Sequence, residues 1–236
     1  MSDAYPDETD RIAEARARIL AAALPNVPFD GWSDRTLRAA AIEADVDDAT
    51  LRLAYPRGAV DLALAFHADG DARMRQALAT AGLETMRIRE KVAFAVRTRL
   101  QLVERHREAV RRAAALFALP IYAADGARAI WGTADAIWDA LGDTSEDANW
   151  YSKRAILAAV YSATALYWLG DASDGAHRTW EFLDRRIEGV MRFEKLKARV
   201  NGNPLGRLAM AGPNALAKMV RAPRRAGGRG EDFREA

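Results

Sequence analysis

Asp135 and Asp139 stand four residues apart, a spacing that puts both carboxylates on one helix face, where a pair can divide acid and base roles. Asp125 and Arg128 lie close by, so a solvated polar face is the better reading. The other ingredients of catalysis are scarce. His67, His106 and His177 are the only imidazoles, and none has the H-x-x-x-H or E-x-x-H spacing that aims two ligands at one metal from one helix. There is no cysteine, which removes disulfides, thiolate metal sites and thiol nucleophiles together. No phosphate-binding loop, dinucleotide fingerprint or nucleophile elbow occurs, and Gly227-Gly-Arg-Gly230 lies in a loose tail. The expectation is a chain that is not an enzyme and has no metal and no cofactor.

The aromatic residues point to binding instead. Thr144 and Asp147 have capping-box spacing at the start of a helix, and Trp150 and Tyr151 stand just behind that start. From Ala155 to Leu169 the chain is uncharged. That run is too short to span a bilayer, which takes about 20 apolar residues, and suits a helix buried on most of its circumference in a core or a subunit interface. Trp150, Arg154, Leu157, Tyr161, Thr164 and Trp168 recur at steps of four and three and form one stripe. Tyr151, Ala155, Ala158, Ser162 and Ala165 form a second stripe, small enough for another helix to approach closely. Tyr161 and Trp168 read as plain core. Trp138, Trp150 and Tyr151 lie at or near helix ends beside the acids of Asp143–Asp147, and read as a binding surface.

Helical spacing of apolar residues runs almost throughout the 236 residues. It predicts helices near Asp7–Leu24, Ser33–Ala44, Asp48–Ala54, Gly58–Ala81, Glu84–Val103, Arg107–Ala118, Ile121–Leu141, Ala148–Leu169, Gly175–Val200 and Pro204–Val220. Breaks fall at Pro25-Asn-Val-Pro28, Asp30-Gly31, Tyr55-Pro56, Leu119-Pro120, Gly142-Asp143 and Gly170-Asp171.

The segment from Ser33 to Pro56 has a helix-turn-helix layout, with Leu37, Ala40, Ala41, Val46, Leu51 and Tyr55 as the expected interior, and it resembles the N-terminal part of TetR-family regulators. Its charge is wrong for reading DNA. Residues 33–58 carry a net −1, with Asp47 and Asp48 where phosphates would lie. The net charge of +2 belongs to the C-terminal part, where residues 198–230 hold seven cations and no acid. Leu205, Leu208, Leu216 and Met219 with Lys218 and Arg221 make a basic amphipathic helix. It fits either an anionic membrane surface or a helix docked on its own body. Residues 222–236 read as a disordered tail.

Arg18-Ile-Leu-Ala-Ala-Ala-Leu-Pro25, Gly31-Trp32-Ser33, Tyr55-Pro-Arg-Gly-Ala-Val60, Arg87-Ile-Arg89, Leu116-Phe-Ala-Leu-Pro120, Trp138, Gly142-Asp143, Asp147-Ala-Asn-Trp-Tyr151, Lys153-Arg154, Thr179-Trp-Glu-Phe-Leu183 and Arg186 together resemble the Coq nine family, the lipid-binding accessory proteins of ubiquinone biosynthesis. The resemblance implies an all-α, TetR-like fold and a homodimer that holds an isoprenoid quinone intermediate or other lipid and assists a late-step di-iron hydroxylase. It implies a degenerate helix-turn-helix subdomain (1–80), a ligand-binding and dimerisation body (81–200), an amphipathic helix (201–221) and the tail. Candidate cavity walls are Leu100, Phe117, Trp131, Leu157, Tyr161 and Trp180. Trp138, Asp147, Trp150 and Tyr151 are the candidate docking surface for the hydroxylase. The expected partners include an anionic membrane and exclude nucleic acid. Eukaryotic members carry a mitochondrial presequence; its lack here suits a cytoplasmic protein peripheral to the inner face of the cell membrane. The alternatives are a ligand-responsive TetR-type regulator, and a hydrolase or isomerase acting in a helical cavity.

Overall fold

The computed structural model describes residues 8–146 and 148–202, without the side chains of 148 and 193–202. Helices α1 (Glu8–Ala23), α2 (Val27–Asp30), α3 (Asp34–Glu43) and α4 (Asp48–Ala54) form an N-terminal group. Helices α5 (Ala59–Ala79), α6 (Ile88–Gln101), α7 (Arg107–Phe117), α8 (Ala123–Ala140), α9 (Ala148–Gly170) and α10 (His177–Gly202) form the body. No strand occurs among the described residues. The fold is all-α.

The helix-turn-helix is built by its caps. Ser33 Oγ accepts the Thr36 amide at 3.1 Å and starts α3, and the Asp47 carboxylate accepts the amides of Ala49 and Thr50 at 2.9 Å and starts α4. Asp34 accepts the Ala59 amide at 3.0 Å and so caps α5. Two of the acids that lower the charge of this segment are therefore helix caps. Leu37, Ala40, Ala41, Leu51 and Tyr55 are buried as expected, and Val46 is half-buried. The group is tied to the body by Trp32, whose indole donates to the Ala109 carbonyl at 3.0 Å, and by Arg57, which bridges Asp61 and Asp125.

Most boundaries fall within two residues of the sequence reading, and three regions differ in kind. Pro25–Pro28, read as a break, runs into the one-turn helix α2, because Pro28 sits in its first turn, where a missing amide hydrogen costs no bond. A 3-10 turn at Leu83–Thr85 precedes α6. The last helix starts at His177 rather than Gly175, because Gly175 is left-handed at φ 56° within a 3-10 turn. The Pro204–Val220 helix, the tail and Asp147 lie outside the described residues.

Long α5 is the central strut, contacting α8, α6, α1 and α3. Gly70 lets α6 approach it, since a methyl there would lie 2.5 Å from the guanidinium carbon of Arg99. Arg99 is 3% exposed and donates from Nε to Asp71 at 2.7 Å and from Nη2 to the His67 carbonyl at 3.0 Å. Thr133 donates to the same Asp71 at 3.0 Å and meets His67 Nε2 at 2.7 Å. Burial pushes the His67 pKa down, so the imidazole is neutral. This buried set locks α5, α6 and α8 in register.

Candidate functional site

The α8–α9 corner organises the site. Helix α8 ends with Gly142 left-handed at φ 75°, the Asp143 amide donating to the Trp138 carbonyl and the Gly142 amide to that of Asp139, both at 3.0 Å. This stop turns the Asp143 side chain back towards α9. One carboxylate oxygen then accepts the Lys153 ammonium at 2.6 Å, and the other accepts Arg154 Nη1 at 3.0 Å. Ser145 donates to both.

Arg154 is fully buried, and its guanidinium also engages Asp135 through Nε and Asp139 at 3.3 Å. Asp135 and Asp139 are thus counter-ions of one buried cation while their outer sides stay open to solvent. Asp125, read with them as part of a solvated face, is buried and accepts from Arg57 at 3.0 Å and Arg128 at 2.6 Å. The reason is tertiary: α8 packs its acidic face on α9 and on the start of α5. A buried guanidinium is tolerable only when it is paired and hydrogen-bonded this fully. Burial pushes the Asp143 carboxyl up, but Lys153, Ser145 and Arg154 outweigh it and hold the group at about 2, so it is ionised near neutrality.

Beside this corner runs a groove of about 460 Å³, a volume typical of small-ligand sites. Ile88, Arg89 and Val92 of α6 form one wall, and Ile187, Val190 and Met191 of α10 another. Helix α9 lies along it with Asn149, Ser152, Lys153, Ile156, Leu157 and Val160, and the α8 end closes it with Trp138, Leu141, Gly142, Asp143 and Thr144. Polar side chains gather at the α8–α9 corner, and aliphatic ones continue along α9 towards Val160, about 10 Å beyond Lys153 at 1.5 Å per residue.

The candidate wall residues scatter. Leu157 lines the groove. Leu100 and Tyr161 are buried in the core, and Phe117 packs on Gly126. Trp180 lies under the Arg97 guanidinium at 5.1 Å. Trp131 joins Trp150 and Tyr151, with ring centroids 6.1 and 6.4 Å away, in a half-buried aromatic cluster. Trp150 covers Arg154, whose guanidinium carbon is 4.0 Å from the ring centre. Trp138, assigned with them, lines the groove instead; its indole donates to the Lys153 carbonyl at 3.1 Å and the Lys153 ammonium sits 5.3 Å over its ring. The stripe Arg154, Leu157, Tyr161, Thr164, Trp168 is buried along its whole length.

Sequence reading missed the Asp143–Lys153 pair and the aliphatic lining. A signal existed for each: Asp135, Asp139 and Asp143 repeat every four residues, and Ile187, Val190 and Met191 have helical spacing.

Fold and groove define a TetR-like helical protein with a lined apolar groove in its body. A TetR transcriptional regulator from Nitrosomonas europaea matches with a TM-score of 0.60 at 18% identity, over 74% of this chain and 97% of that one. The family model for COQ9 matches residues 123–194, which contain the α8–α9 corner. Proteins named Ubiquinone biosynthesis protein COQ9, mitochondrial, are similar over most of this chain. The Drosophila melanogaster protein is 31% identical over 85% of this chain and 61% of its own length. The Rattus norvegicus protein is 32% identical over 74% and 58%, and that of Homo sapiens 30% over 74% and 57%. The chain is thus similar to COQ9 proteins, and spans about three fifths of the length of these curated relatives.

Proposed function

We propose that this protein is a lipid-binding accessory factor of ubiquinone biosynthesis, holding an isoprenoid quinone intermediate in the groove and presenting it to the late-step hydroxylase. The observation that carries this reading is the groove itself, aliphatic along α6, α9 and α10 and polar where it meets the α8–α9 corner. Each methylene of an isoprenoid buried there contributes about 0.8 kcal/mol. The names of the relatives supply the pathway. The protein acts as a carrier rather than a catalyst: the aspartates that could share acid and base roles are committed to Arg154. Trp150 and Tyr151, beside the groove mouth, form the docking surface for the hydroxylase.

Two parts of the reading extend beyond the site. Residues 204–220 tether the protein to an anionic membrane, since their sequence joins leucines and Met219 with Arg207 and Lys218. Changing Leu208, Leu216 and Met219 to Ser abolishes co-sedimentation with anionic liposomes while leaving the melting temperature unchanged. A second copy covers the outward face of α9 and α10.

Mass spectrometry of lipids that co-purify with the native protein tests the central claim. An isoprenoid aromatic species is the expected result, and protein that is lipid-free in every preparation contradicts it.

A further inference from the structure

The groove mouth has an electrostatic character that its aliphatic walls do not predict. Lys153 is its most prominent cation, half-buried, with its ammonium between the Trp138 ring and the Asp143 carboxylate. Among the described residues two of the three ammonium donors are used, on Asp143 at 2.6 Å and Ser145 at 3.3 Å, so a third can turn towards a ligand oxygen in the groove. Asp143 is buried and cancels that cation. Behind it Arg154 faces Asp135, Asp139 and the same Asp143, so the corner holds three carboxylates against two cations. Arg89, the other cation lining the groove, faces Glu90 at 3.7 Å.

We propose that the groove selects amphiphiles with a polar but uncharged head, seated at Lys153 with the tail along α9, and that Asp143 is the residue that turns anionic heads away. This rests on the lipid-carrying reading above and adds the class of ligand and its orientation. An anionic head reaching for the Lys153 ammonium comes alongside a carboxylate already bonded to it, in a partly desolvated corner where charges are weakly screened. A hydroxyl or carbonyl oxygen accepts the remaining donor without that repulsion. A phosphate or carboxylate head is disfavoured although a lysine lines the site. Selection against charge, rather than affinity for the tail, sets the specificity.

The test titrates the full-length protein at neutral pH with three probes that share a tail and ring: para-dodecylphenol, para-dodecylbenzoate and dodecylbenzene. Binding is read by calorimetry for wild type, Asp143→Asn and Lys153→Met. Wild type binds the phenol about tenfold more tightly than the benzoate. Asp143→Asn improves the benzoate about tenfold and leaves dodecylbenzene unchanged. Lys153→Met brings the phenol down to the affinity of dodecylbenzene. Equal wild-type affinities for phenol and benzoate overturn the proposal and leave the carrier reading intact, as does a ratio indifferent to Asp143→Asn. If none of the three binds to wild type, the carrier reading itself fails. Should Asp143→Asn not fold, Lys153→Met decides, an unchanged preference for the phenol over dodecylbenzene being the overturning result.

Discussion

Gly70 and Asp143 show how single atoms set this structure. An alanine methyl at position 70 meets the Arg99 guanidinium at 2.5 Å, and Arg99 cannot swing aside because it is buried and held by Asp71 and the His67 carbonyl. Gly70→Ala therefore costs about 1–3 kcal/mol, the usual range for overpacking, although alanine favours a helix. Urea denaturation measures it, and a neutral or stabilising result means that α5 and α6 part easily. Asp143 gives a pH signature. Its carboxyl lies below the ordinary 3.8, at about 2, so its contribution is complete above 3.8 and is lost as pH falls towards 2. The melting-temperature gap between wild type and Asp143→Asn is full near neutrality and closes across that window. A gap constant down to pH 2 shows that the carboxylate's charge adds nothing.

At the scale of the helix, α9 has distinct faces. Its buried stripe carries Arg154 and Trp168, and Trp168 donates to Glu104 at 2.8 Å with Arg107 4.5 Å over its ring. Its N-terminal turn carries Trp150 and Tyr151, with ring centroids 4.7 Å apart. Trp150 covers the Arg154 guanidinium, so Trp150→Ala loses about 1 kcal/mol of cation–π and packing energy. Tyr151→Ala, which leaves that cover in place, is the cleaner probe of docking. On the docking proposal, each variant weakens pull-down of the hydroxylase by about 2 kcal/mol or more while lowering the melting temperature by only a few degrees. If both variants fail to fold, the rings are core and the docking surface is wrong.

For the whole molecule, the outward side of α9 is a conspicuous apolar surface left uncovered by the described residues. Leu166 is 64% exposed and Tyr167 39%, beside the small side chains of Ala159 and Ala163 and against Arg185, Arg186 and Gly189 of α10. Tyr167 stacks on Phe182 at 4.6 Å, so the face is ordered before anything covers it. Placed in a homodimer interface, Leu166→Asp buries an unpaired carboxylate and shifts sedimentation from dimer to monomer. An unchanged dimer places the interface elsewhere. In the N-terminal group, Asp47 caps α4 locally and Asp34 reaches 25 residues along the chain to cap α5, so both acids hold the helix-turn-helix geometry.

The all-α fold, the helix-turn-helix and most helix bounds were legible in the sequence, because each depends on neighbours three or four residues apart: apolar spacing, a capping Ser33 or Asp47, a glycine stop at Gly142. The buried stripe of α9 was legible for the same reason. Partnership across helices was not. Whether Asp135 and Asp139 reach Arg154, and whether Trp138 lines a groove or Trp131 joins Trp150, depends on how α8 and α9 are rotated against each other. That rotation is set by the packing of the body as a whole, with Gly70, Arg99 and Asp71 fixing α6 and α8 on α5. Sequence spacing fixes the face a side chain shares, whereas only the packed structure decides what that face meets.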